Sequence, residues 1–265
     1  MRTHGRATRW IAPVATLALG LGLAAGLTAC DDGSRYDQAI CVLIDESGTY
    51  ADQAPEVVRI LKREVLPAME PGDTLMVVRI DDESYQKDNL EALVTLDPRP
   101  SRANAQKLAL AQKLDALAAH VKPASHTDIP GAMMLAGEYL GEVPSGSRVM
   151  LIFSDLEEDL APGTHRKLGK DEFAGIWVAA MNVKRLGADN ADPEVFRKRL
   201  ASWEHRVMGA GGLGWRTFLD PTKLGDYLAG VREAGGAGDV RSIAGREDHP
   251  KRELHASTDR ESRAS

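Results

Sequence analysis

The sequence predicts a doubly wound, mostly parallel α/β sheet with helices on both faces. Three observations carry that expectation. Short apolar runs alternate with amphipathic stretches along most of the chain. The first run, residues 39–45, is uniformly apolar up to Asp45 rather than alternating, as a strand covered on both faces must be. Polar loops rich in Asp, Ser and Thr follow some of the runs, on the side where open sheets of this class bind their ligands.

The elements follow in order. Residues 39–45, apolar throughout until Asp45, read as a buried strand. Residues 52–69 read as a helix with Val57, Ile60, Leu61 and Val65 on one face, stopped by Pro71-Gly72-Asp73. Residues 74–80 are a second strand and 92–96 a short third one at an edge. Ser101 is suited to cap a helix that carries Leu108, Leu110, Leu114 and Leu117. A turn at 122–127 leads to a helix over 129–141, then a strand over 147–154. After a polar loop come a strand at 175–183, a helix at 193–208 opened by Asp192-Pro193, a strand at 214–219 and a helix at 221–231. The glycine-rich run 209–214 follows a helix and precedes a strand. A phosphate cradle needs the opposite order, so this run is a turn.

Both ends read differently from the body. Residues 1–9 are basic and 10–27 almost wholly apolar, ending at Leu27-Thr28-Ala29-Cys30. That pattern is a secretory signal, and its ending resembles a bacterial lipobox, in which Cys30 is lipidated and becomes the first residue. An uncleaved membrane helix is the alternative; Pro13 and the glycines of the run weigh against it. Either way the body faces outward from the inner membrane, and Asp31 resembles the signal that retains a lipoprotein there, facing the periplasm. Residues 1–30 are thus a signal peptide, 31–37 a tether and 38–231 one domain. Residues 232–265, poor in large apolar side chains, are expected to be a disordered tail.

The net charge is −6, and Arg2, Arg6 and Arg9 belong to the removable segment. An acidic body excludes nucleic acid as the expected partner. Of the two cysteines, Cys30 belongs to the signal, and Cys41 sits in the first strand as a small buried hydrophobe, so there is no disulfide framework.

Three polar loops carry the chemistry. Asp45-Glu46-Ser47-Gly48-Thr49 follows the first strand, Ser125-His126-Thr127-Asp128 opens a helix, and Ser154-Asp155 closes the fourth strand. Asp45, Ser47, Thr49, Thr127 and Asp155 are hard oxygen donors, suited to Mg²⁺, Mn²⁺ or Ca²⁺ rather than zinc. Helix capping explains any one such loop. It does not easily explain three in order.

These residues resemble the metal-ion-dependent adhesion site of von Willebrand factor A (VWA) domains. The likeness lies in Asp45-x-Ser47-x-Thr49 followed by Thr127 and Asp155, and it extends over 38–231, including Trp215 to Pro221. It implies a VWA/Rossmann-like fold, with hydroxyl coordination by Ser47, Thr49 and Thr127. Asp45 and Asp155 would act directly or through water. It favours Mg²⁺ and implies a protein partner that offers a carboxylate to the ion, with Tyr50, Asp128 and Glu157 as candidate contacts. Two departures stand out: Thr49 replaces the more usual Ser, and no glycine follows Asp155, where Leu156-Glu157-Glu158 stands instead.

The expected function is therefore metal-dependent binding of a protein partner by a lipid-anchored, non-enzymatic domain. A phosphatase of the haloacid-dehalogenase type also places Asp after its first strand, but needs a second carboxylate two residues on, where Ser47 stands. The same fold acting as a metal-independent interaction domain is a further alternative. No nucleophilic triad is recognisable. Asp81 and Asp82, at the end of the second strand, are candidates to extend the site, and His126 reads as a hydrogen-bonded loop histidine.

Overall fold

The computed structural model describes residues 37–181, 186–187 and 192–237. Contacts divide the chain into residues 1–32 and 33–265; the first unit, with Cys30 and the expected signal peptide, lies outside the described residues, as do most of the expected tether and tail. No helix among the described residues is long and apolar enough to cross a membrane.

Six strands form one sheet: β1 (Gln38–Asp45), β2 (Thr74–Ile80), β3 (Leu90–Thr95), β4 (Ser147–Phe153), β5 (Ile176–Met181) and β6 (Gly214–Phe218), in the order β3-β2-β1-β4-β5-β6. All neighbours are parallel except β2 and β3. The chain builds outward from β1 to one edge, then returns to β4 on the other side of β1. The strand order thus reverses between β1 and β4, and a crevice opens there beyond their carboxyl ends.

Around the sheet lie α1 (Ala54–Ile60), α2 (Leu66–Ala68), α3 (Pro100–Ala119), α4 (Ile129–Glu142), α5 (Pro193–Gly209) and α6 (Leu224–Ala237). Successive side chains of a strand face opposite ways, so β1 feeds two cores. Ile40, Val42 and Ile44 pack with α1, α3 and α6. Ala39, Cys41 and Leu43 pack with α4 and α5. All six side chains are fully buried, which is why β1 reads as a continuous apolar run. The larger of them each contribute about 1.5–3 kcal/mol by leaving water.

Four details differ from the sequence expectation. The helix expected over 52–69 is composite: a 3-10 turn precedes α1, and a π-turn at Leu61–Val65 separates α1 from α2. Pro67 supplies the reason, since its ring is incompatible with an ordinary helical bond to the carbonyl four residues back; the Leu66 N–H reaches Leu61 O instead. Ser101 is not the cap of α3. Pro100 begins the helix and Arg99 precedes it without a side-chain cap, because a first-turn proline has no N–H to satisfy. Leu108 is 64% exposed, and the buried stripe runs through Ala103, Leu110 and Leu114. Finally, α6 continues past 231 to Ala237, so the first residues of the expected tail are helical.

Candidate metal centre

The three polar loops meet at the β1–β4 crevice, joined by short backbone bridges. The Ala124 N–H donates to Glu46 O at 2.7 Å, tying the second loop to the first. Thr127 and Asp159 exchange backbone bonds, N–H to O at 2.7 and 3.2 Å, tying the second to the third.

Asp45 ends β1 and is fully buried. Its Oδ1 accepts from the Ser47 N–H at 2.7 Å, and its Oδ2 from the Ser154 hydroxyl at 2.6 Å. Burial pushes its carboxyl up to about 6; the bonds from Ser154 and Ser47 oppose that rise, and the nearby Asp155 adds to it. Desolvation of the carboxyl outweighs the bonds from Ser154 and Ser47, so the crevice without a cation disfavours the charged form.

Ser47 and Thr49 lie on one side of the turning backbone, their hydroxyl oxygens 3.3 Å apart. Thr49 donates to Asp155 Oδ2 at 2.8 Å, while Asp155 Oδ1 accepts from the Glu157 N–H at 3.0 Å. The intervening Glu46 is held instead by Arg79 of β2, 3.6 Å away. Ser47, Thr49 and Thr127 line one cleft of about 460 Å³, whose charged lining residues are Glu157, Glu158 and Asp159. Thr127 is 5% exposed. Unlike the hydroxyls of Ser47, Thr49 and Ser154, its own has no hydrogen-bond partner among the described residues.

The structure therefore gathers Asp45, Ser47, Thr49, Thr127 and Asp155 at one place. Among the described residues no three His, Cys, Asp or Glu side chains gather to hold a metal by themselves, so an ion here would depend on the hydroxyls. The donor set fits a hard divalent cation: two buried carboxylates, two linked hydroxyls and the Thr127 hydroxyl on the cleft lining.

Two expected contact residues are corrected. Tyr50 is fully buried in the core against β1 and α1, so it offers no face to a partner. Asp128 is also fully buried; its Oδ1 caps α4 by accepting from the Gly131 N–H at 2.8 Å, and Arg166 pairs with it at 2.9 Å. Glu157 is exposed, with Arg199 4.0 Å away. Asp81 and Asp82 brace the Thr127 loop rather than line the cleft: Asp81 O accepts from the Asp128 N–H, and Asp82 Oδ1 from the His126 N–H. His126 Nδ1 lies 3.0 Å from Asp159 Oδ2, the hydrogen-bonded loop histidine expected.

The missing glycine after Asp155 has a structural answer. Leu156 itself adopts φ 62°, the left-handed conformation glycine takes freely and which costs other residues about 1–2 kcal/mol. Three interactions hold it: its N–H donates to Ser154 Oγ at 2.8 Å, its carbonyl accepts from Trp203 Nε1 at 2.9 Å, and its side chain is 1% exposed in the core. Burial of a leucine, about 1.5–3 kcal/mol, offsets the strain. Sequence reasoning missed Ser154, Asp159, Arg166 and Trp203 as parts of this arrangement. Ser154 was legible beside Asp155; the others act through contacts across long stretches of chain and carry no local signal.

No protein-family model matches the chain, and no curated protein does. Solved structures do match. One is a von Willebrand factor type A structure from Catenulispora acidiphila, 15% identical, covering 77% of this chain and 43% of that one, with a TM-score of 0.41. Another is BatB from Bacteroides thetaiotaomicron, 12% identical over 77% of this chain and 98% of that one, TM-score 0.42. The pilus adhesin SpaC from Lactobacillus rhamnosus GG is 14% identical over 76% of this chain, TM-score 0.45; the chain spans only 30% of its length. The α/β doubly wound fold stands on the strand order and the two helical layers described above.

Proposed function

We propose that the chain is a VWA-type binding module whose partner-binding face is centred on a divalent cation, Mg²⁺ by preference. The observation that carries this reading is the convergence of five oxygen-bearing residues from three separate loops at the strand-order reversal. The unpartnered Thr127 hydroxyl in the cleft adds to it. Ser47, Thr49 and Thr127 would hold the ion through hydroxyl oxygens, with Asp45 and Asp155 acting directly or through water. The bound ion would supply a Lewis-acidic centre able to take one carboxylate oxygen from a protein partner. The residues of the chain do the rest: Ser154 and the Ser47 N–H orient Asp45, and the Glu157 N–H orients Asp155.

A binding role is supported over the phosphatase alternative. Asp45 is wholly buried with both oxygens occupied by donors, a poor posture for a nucleophile, and Ser47 stands where that chemistry needs its acid. Residues 1–30 support a lipid anchor at Cys30, with the module held at the outer face of the inner membrane.

The test is calorimetric titration of Mg²⁺ and Mn²⁺ into the parent and into Asp45→Ala and Thr49→Ala, joined to capture of partners from detergent-solubilised membranes with and without chelator. Saturable binding in the parent, lost in both variants, and capture that needs the ion are the expected results. Ion binding unchanged in both variants refutes the metal centre; chelator-insensitive capture would leave a metal-independent interaction domain.

A further inference from the structure

We propose that Arg166 is the positioning residue of the centre, holding Asp128 and through it the aim of the Thr127 hydroxyl. The inference rests on the metal-centred reading above and deepens it.

Among the described residues, no bond fixes the direction of the Thr127 hydroxyl. A β-branched threonine has few side-chain rotamers, so the backbone at 127–128 limits where the oxygen can point. That backbone is held on one side by the exchange with Asp159 and on the other by Asp128, whose N–H donates to Asp81 O at 2.8 Å. The Asp128 carboxylate is confined as well. It caps α4, and a Cβ added to Gly131 would stand 2.2 Å from its Oδ2. Glycine at that position is what leaves the carboxylate room.

A carboxylate with no exposed surface needs a paired charge. Arg166 supplies it from the loop that joins β4 to β5. Its Nη2 and Nε lie 2.9 and 3.0 Å from Asp128 Oδ2, and Nε is 3.3 Å from Oδ1. The guanidinium also lies 5.7 Å from the centre of the Tyr85 ring, and Tyr85 bonds Glu138 of α4. The β4–β5 loop thus does three things: it carries Asp155, pairs its backbone with Thr127, and clamps Asp128. Distances among the donors are set by one loop gripping another. A planar fork suits that grip, and a lysine ammonium reproduces the charge without the fork.

The amino-terminal end of the inner strands contains a matched control. Asp73, also fully buried, is paired with Arg232 at 2.6 Å, at the amino ends of β1 and β2. It has the same chemistry and similar burial, but lies away from the cleft.

The experiment uses the full chain, Mn²⁺ alone as probe, and the variants Arg166→Ala, Arg166→Lys, Arg232→Ala and the double variant Arg166→Ala/Asp128→Asn. Mn²⁺ affinity is read by calorimetry, and amide exchange over residues 127–131 in the metal-free protein. Arg166→Ala should lower Mn²⁺ affinity roughly 10–100-fold, as loss of an outer orienting partner does, and Lys should restore part. Arg232→Ala should lose stability comparably yet keep the parent's affinity. The double variant, freed of an orphan buried charge, should recover stability but not affinity, and exchange at 127–131 should quicken in both Arg166→Ala backgrounds. Equal affinity loss in the Arg166 and Arg232 variants overturns the proposal, as does unchanged exchange at 127–131. A parent that fails to bind Mn²⁺ overturns it together with the metal reading, whereas a binding parent with an unaffected Arg166→Ala overturns it alone.

Discussion

Asp45→Asn should make the metal-free protein more stable at neutral pH while abolishing its response to divalent ions. Burial raises the Asp45 carboxyl from its ordinary 3.8 to about 6. The folded state therefore favours the neutral acid, the reverse of the usual carboxylate case. The penalty is absent below the unfolded value near 4, grows as pH rises through that window, and is complete above about 6. A shift of about two units corresponds to roughly 3 kcal/mol, at about 1.4 kcal/mol per unit. Asparagine removes the charge and keeps the acceptor for the Ser47 N–H. Its amide, however, meets the Ser154 hydroxyl donor, and losing that bond costs about 1 kcal/mol. A net gain of about 2 kcal/mol remains, or roughly 4–8 °C in Tm for a domain of this size. Unfolding in urea with chelator present, from pH 4.5 to 8, measures it. Parent and variant should converge at the acid end and diverge above pH 6. Adding Mg²⁺ should then stabilise the parent only, by mass action on the folded state. If the two proteins differ by the same amount across the pH range, or the variant is the weaker at pH 8, desolvation of Asp45 is not the governing effect.

Two further outcomes follow from the geometry. Thr127→Val removes a hydroxyl that no described residue bonds, so urea unfolding should shift by less than about 1 kcal/mol while calorimetry shows Mn²⁺ binding sharply weakened. Gly235→Ala should reverse the usual helix preference. Alanine favours a helix interior by about 1 kcal/mol, but here its Cβ would stand 2.5 Å from the Gly146 carbonyl oxygen, so the urea midpoint should fall by the equivalent of about 1–3 kcal/mol.

Much of the fold was legible because its signals are local. The inner strands bury both faces, so β1 and β4 had to be apolar at nearly every consecutive position, and their limits fell within a residue or two of those expected. The helices around 129–142 and 193–209 were marked by side chains at their first turns, Asp128 and Asp192, both of which do cap. Legibility failed where two local signals competed. Ser101 is a good capping residue, yet Pro100 beside it fits the first helical position better. Leu108 has the right chemistry for a core but the wrong phase on α3, which only the packing partner reveals.

The sequence by itself determined the donor chemistry of the candidate centre. Asp45, Ser47 and Thr49 are bound by their spacing to one turn after one strand, and Thr127 and Asp155 sit at ends of elements that the apolar pattern defines. What only the tertiary structure decided is the grip on those donors. Asp128 and Tyr50 looked like surface neighbours of the ion because they adjoin its ligands in the chain; folding buried both, one as a cap locked by Arg166 and one as core. Adjacency along a chain fixes which residue types arrive together, but a buried carboxylate must find its counter-charge wherever another loop can bring one. Arg166, thirty-eight residues beyond Asp128, could be found only once the loops had met.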